Sequence, residues 1–216
     1  MSRGRKNQLT GQVAEHLVVA ELGRRGLAAT GFSGNIPTFD VLAVDENCRV
    51  VPIQVKASTG DNWPSDARTW MDIEVESATL QQRSRGPSNL PTPDLIYVCV
   101  AIAPTGADRR DRFFILTMED LQRVCIDAYT DWMGPKDWKR PNNPHSFDCR
   151  YAIRHLSRFE DNWDLIRDRL AASEPDPALA SLPDSHVESA SGSNAGGSSA
   201  PASVQSCRNG RGAIGG

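Results

Sequence analysis

The sequence predicts a mixed α/β fold, a central mixed β-sheet flanked by helices. Three observations carry it: an N-terminal stretch with helically spaced apolar residues, two neighbouring segments that alternate apolar and polar, and a continuously apolar run further on. Several strands bracketed by helices imply layers packed on one sheet.

Residues 7–26 read as a helix, with Leu9, Val13, Leu17 and Ala20 on one stripe and Gly26 as a natural stop. Residues 27–32 fit a first strand. Residues 38–45 (TFDVLAVD) and 49–58 (RVVPIQVKAS) alternate, and Asp45-Glu46-Asn47-Cys48 between them has turn chemistry, so the two form an antiparallel hairpin. Residues 69–75 read as another strand. Residues 95–103 (LIYVCVAIA) suit a central strand covered on both faces. Residues 112–117 make a further strand and residues 118–132 a helix, with Thr117 as N-cap and Asp120 in its first turn. Residues 156–170 read as the last helix, with Phe159, Trp163, Ile166 and Leu170 on one face. The five tryptophans are read chiefly as packing residues.

From Ser173 the composition turns to Ser, Gly, Ala and Pro without an aromatic residue. Such a segment buries too little apolar area to offset its ordering entropy. The expected organisation is a flexible N-terminus over residues 1–6, one domain over residues 7–171, and a disordered tail over residues 172–216. Hydrophobic residues at 39% fit a globular domain, and no apolar run is long enough for a membrane span. The basic start lacks the apolar run of a secretory signal. Five scattered cysteines without a CxxC pair argue against a zinc site or a disulfide framework and for a reducing, cytoplasmic setting. Net charge is −3, which does not advertise a nucleic-acid binder, although an enzyme needs only a local basic stripe. No GxxxxGK[ST] or GxGxxG is present, so nucleotide-dependent chemistry has no support.

Strand periodicity brings the chemistry together. Side chains two apart share a sheet face, so Gln54 and Lys56 point one way while Ile53, Val55 and Ala57 point the other. Across a hairpin turning near Glu46–Asn47, Asp40 falls about opposite Ile53 and Gln54. A carboxylate, an amide and an ammonium then cluster among apolar neighbours, which is costly unless they are paired or bind something.

With Phe39-Asp40, then Gln54-Val55-Lys56, and Glu15 on the preceding helix, the chain resembles the PD-(D/E)xK nuclease superfamily, in the branch with a Q-x-K variant that includes restriction-endonuclease-like and Holliday-junction-resolvase-like proteins. The motif resemblance covers roughly residues 10–58. It implies a restriction-endonuclease-like core and a metal-dependent endonuclease acting on duplex or branched DNA. Mg²⁺ would be the cofactor, with Mn²⁺ as substitute. Asp40 would be the main ligand, Gln54 and the Val55 carbonyl would complete the site, Lys56 would assist the water, and Glu15 would hold a water or the metal. A homodimer is one assembly the resemblance implies. The chain departs from the pattern in having Phe39 where the family has proline, and the neutral Gln54 where it has an acid. The second departure favours an alternative, a nuclease-fold module without turnover that binds nucleic acid or a protein partner.

Plainer readings stand beside these. Asp40 and Lys56 would form a partly buried salt bridge, and Glu15 would be a solvated helix-face residue. Ser58, Arg83 and Arg85 are candidate nucleic-acid contacts, against a strand-end hydroxyl and a solvated loop. Asn35 and Pro37 would shape the loop at the mouth of the site.

Overall fold

A computed structural model describes residues 3–32 and 38–173. The expected tail lies outside the described residues from residue 174 on, Ala172 still belonging to the last helix, and the Asn35–Pro37 loop lies outside them as well. Helix α1 (Arg3–Arg24) leads to strands β1 (Ala28–Gly31), β2 (Val41–Val44), β3 (Val50–Ser58), β4 (Asn62–Asp66), β5 (Met71–Val75), β6 (Gln82–Pro87), β7 (Ile96–Ala101) and β8 (Arg112–Thr117). Helix α2 (Met118–Met133), strand β9 (Asp148–Ala152) and helices α3 (Ile153–Leu156) and α4 (Asp164–Ala172) follow.

The five-stranded sheet has the order β1-β2-β3-β7-β8. It is mixed: β3 pairs with β2 antiparallel and with β7 parallel, and β7 pairs with β8 antiparallel. Every residue of β7 is buried, as its continuous apolar run requires of a central strand. Two ribbons, β4–β9 and β5–β6, pair separately.

The sheet separates two cores. On one face α1 and α4 pack Val18, Leu22, Trp163 and Ile166 against Ile53 and Val98. On the other, α2 and the β4–β9 ribbon pack Leu121, Tyr129, Trp63 and Tyr151 against Tyr97 and Phe114. No helix among the described residues is long and apolar enough to cross a membrane.

The helix ends follow their local chemistry. Gly26 takes φ +80° at the end of α1, and the N–H groups of Gly26 and Leu27 reach back to the carbonyls of Gly23 and Leu22. This double closure is what a left-handed glycine permits. The predicted Thr117 cap is present, its hydroxyl accepting the Asp120 N–H at 3.1 Å.

Two sequence expectations are corrected. Leu9 and Val13 are exposed, and the buried stripe of α1 is Ala14, Val18 and Leu22. The expected continuous helix over residues 156–170 is broken. The chain leaves α3 through a short 3₁₀ turn, Asp161 turns left-handed at φ 53°, and α4 starts afresh. Phe159 consequently lies in one core and Trp163 in the other.

Candidate functional site

The β2–β3 hairpin builds the site. Asp45 organises its turn, accepting the N–H groups of Asn47 and Arg49 at 3.0 and 2.9 Å. Register then pairs Val41 with Ile53, and the Asp40 N–H donates to the Ile53 carbonyl at 2.9 Å. Asp40 therefore stands across from Gln54, on the face opposite Ile53 and Val55.

Beyond Ile53, β2 no longer pairs with β3, and the Asp40 side chain continues the ladder. Its Oδ2 accepts the Val55 N–H at 2.7 Å and also a hydrogen bond from the Gln54 amide. In a strand, a residue's N–H and C=O lie along the same edge, so the Val55 carbonyl faces the Asp40 side.

The neighbouring strand adds a residue that the motif did not contain. Tyr97 pairs in register with Gln54, and Lys56 with Cys99. The Lys56 ammonium lies 5.9 Å from the Tyr97 ring centroid. Burial first, and then the Cys99 and Asp40 charges, push the Tyr97 phenol up. Within the apolar run LIYVCVAIA, Tyr97 carries the one phenol, but only the parallel register with β3 makes it a neighbour of Gln54. Lys56 is exposed and makes no ion pair with Asp40 or any other described carboxylate.

Glu15 reaches the same end of the sheet from the other layer, on α1. Partial burial first, and then the nearby charge of Asp40, hold its carboxyl above the ordinary glutamate range. It lines an open groove of about 900 Å³ between α1 and β1, with Gln8, Gln12, His16 and Thr30. Phe32 and Phe39 meet edge to face at 5.4 Å beside it.

The remaining candidates sit elsewhere. The Ser58 hydroxyl donates to the Asn62 carbonyl at 2.7 Å and accepts the Gly60 N–H at 3.1 Å, closing the turn into β4. Arg83 and Arg85 lie on β6 rather than in a loop, paired with Glu76 and Glu74 respectively.

Among the described residues, no group of three or more His, Cys, Asp or Glu side chains converges as a metal cage would. The oxygens around Asp40 are its own carboxylate, the Gln54 amide, the Val55 carbonyl edge and Glu15. Mg²⁺ is held by one or two carboxylates and completed by substrate phosphates. The donors here fit a partial site of that kind and no more.

No family model matches the chain, and no curated protein matches it. Among solved structures it is similar to the bacterial homing endonuclease I-Ssp6803I, with a TM-score of 0.43 and 12% identity, covering 77% of this chain and 96% of that one. It is also similar to Hjc, a Holliday junction resolvase from Archaeoglobus fulgidus, with a TM-score of 0.33 and 13% identity, covering 68% of this chain and 88% of that one. Both are likenesses of backbone arrangement at low identity.

Proposed function

We propose that this chain is a nuclease-like module that binds nucleic acid at the end of the β2–β3 hairpin, with Lys56 taking a backbone phosphate. The observation that carries the reading is the contact between Gln54 and Asp40. A neutral amide donates to the carboxylate where hydrolysis of a phosphodiester would be best served by a second acid. The polar face is retained, Lys56 is free of carboxylate partners among the described residues, and the metal donors are few.

The endonuclease reading has its own support in the proximity of Glu15 and Asp40, whose overlapping negative fields favour a cation. In that reading Asp40, Gln54 and the Val55 carbonyl would hold Mg²⁺ or Mn²⁺, which would supply charge stabilisation for the phosphate and a more acidic water. Lys56 would neutralise the phosphate, and Glu15 would position a water.

The test is fluorescence anisotropy with duplex and branched DNA across a salt series, with supercoiled-plasmid nicking in parallel. Salt-sensitive binding that weakens about tenfold in Lys56→Ala, with a slope shallower by about one, supports the binding module. Metal-dependent nicking lost in both Asp40→Ala and Lys56→Ala transfers the assignment to the endonuclease. Absence of salt-sensitive binding to either DNA rules out both readings and leaves recognition of a protein partner.

A further inference from the structure

A second polar cavity lies between the outer end of α2 and β9, on the layer formed by α2 and the β4–β9 ribbon. Its volume is about 430 Å³, and Arg140, Arg150 and Arg154 stand on its wall with Trp132, Asp148 and Cys149. Arginines elsewhere are mostly matched by carboxylates: Arg25 by Glu21, Arg49 by Asp45, Arg112 by Glu160. The three around this cavity make no ion pair among the described residues, and Asp148 on the same wall pairs with none of them.

Arg140 is held in place. Its Nη1 donates to Ser146 Oγ at 3.2 Å and its Nη2 to the Asp148 carbonyl. The guanidinium stacks over Trp132 at 4.8 Å from the ring centroid, and Lys136 sits over that same ring at 4.3 Å. The Arg140 Nε is buried and has no hydrogen-bond partner. The contacts with Ser146, Asp148 and Trp132 fix the guanidinium, which adds its charge to the cavity wall.

We propose that this cavity binds a phosphate group, with the exposed Arg150 and Arg154 as its direct contacts and Arg140, its guanidinium already engaged, adding positive charge from the wall. Planar guanidinium forks match tetrahedral oxyanions in geometry and charge, and an indole beneath one keeps it oriented. Two sources share this chemistry, a free phosphate ester and the backbone of a polynucleotide. The site is separate from the Asp40 face and does not depend on that assignment.

The experiment titrates inorganic phosphate, a 5′-mononucleotide and a single-stranded oligonucleotide into the 216-residue chain by calorimetry. It is repeated with Arg150→Ala/Arg154→Ala and with Arg140→Gln. The exposed double variant keeps the wild-type melting temperature and loses at least tenfold in affinity for phosphate. If the oligonucleotide binds more tightly than phosphate and loses the same factor in the double variant, the ligand is a polynucleotide. If only phosphate and the mononucleotide respond, it is a free phosphate ester. No phosphate binding at millimolar concentration, or equal affinity in the double variant, overturns the proposal.

Discussion

Glu15 and Asp40 approach one another from opposite layers of the sheet, and the charge of Asp40 is, after burial, the main influence raising the Glu15 carboxyl. An acid whose folded pKa is raised contributes stability below its ordinary range and loses it as pH rises through the raised value. Glu15→Gln should therefore raise the urea midpoint at neutral pH, with the gain vanishing below the ordinary glutamate range. Asp40→Asn should return Glu15 toward its ordinary value in carboxyl-carbon NMR titrations. A Glu15 titration unmoved by Asp40→Asn would show that the two groups are not neighbours.

Gln54→Glu converts the amide facing Asp40 into a second carboxylate. It removes a donor from Asp40 and adds like-charge repulsion, so the variant should lose about 1–3 kcal/mol of stability without divalent cations. Mg²⁺ should restore much of that loss and shift the melting temperature of the variant more than that of the wild type. Thermal melts with and without Mg²⁺ read both effects, and equal Mg²⁺ shifts in the two proteins would count against a cation position between residues 40 and 54.

Asp40 also supports the hairpin. Asp40→Ala leaves the Val55 N–H without its acceptor. An unfolding series should show a loss of about 1–3 kcal/mol with an unchanged m-value, provided the group stays shielded from water.

Glu160 takes Arg112 in a two-pronged contact, at 2.7 Å on each oxygen, and this contact holds its carboxyl below the ordinary range. A depressed acid contributes stability above its ordinary pKa and loses it as pH falls through the depressed one. Both side chains are about one-third exposed, so Glu160→Gln should cost only about 0.5–1 kcal/mol at pH 7. Below the depressed value, wild type and variant should unfold at the same denaturant concentration. A difference that persists there would place the effect in packing.

Gln82 is fully buried, donating to the carbonyls of Pro144 and Ser146 at 2.9 and 3.0 Å and accepting from the Tyr129 hydroxyl. Gln82→Leu should cost about 2–4 kcal/mol, because three polar groups lose a partner away from water. Amide exchange should quicken first around residues 138–147. Uniform quickening over the whole chain would mean that this segment has no separate stability.

The legible parts of the sequence were those whose partners lie nearby in the chain. The β2–β3 hairpin, with its Asp45 turn, the placement of Asp40 across from Gln54 and the Thr117 cap are all local. The buried stripe of α1 was misplaced because Ala14 is small and carries less hydrophobic signal than Leu9 or Val13. Strands β4, β6 and β9 were not read. They hold Asn62, Pro64, Arg83 and Asp148, poor strand residues by composition, and β4 and β9 pair with segments distant in sequence. The break before α4 was hidden because Phe159, Trp163 and Ile166 keep helical spacing while serving two different cores. Arg140 and Arg154 were likewise out of reach, since only the packing of β9 and its flanks against α2 brings them to one wall.

The contact between Gln54 and Asp40 spans only fourteen residues of chain, whereas β3 must wait for the parallel strand β7 to arrive across a far longer excursion. Closing the short loop costs little chain entropy and the long one more. Refolding kinetics should therefore show substitutions in the Asp45 turn slowing folding, while substitutions in β9 mainly hasten unfolding. In time as well as in space, the polar face of Asp40 and Gln54 is then an early landmark around which the remaining strands assemble.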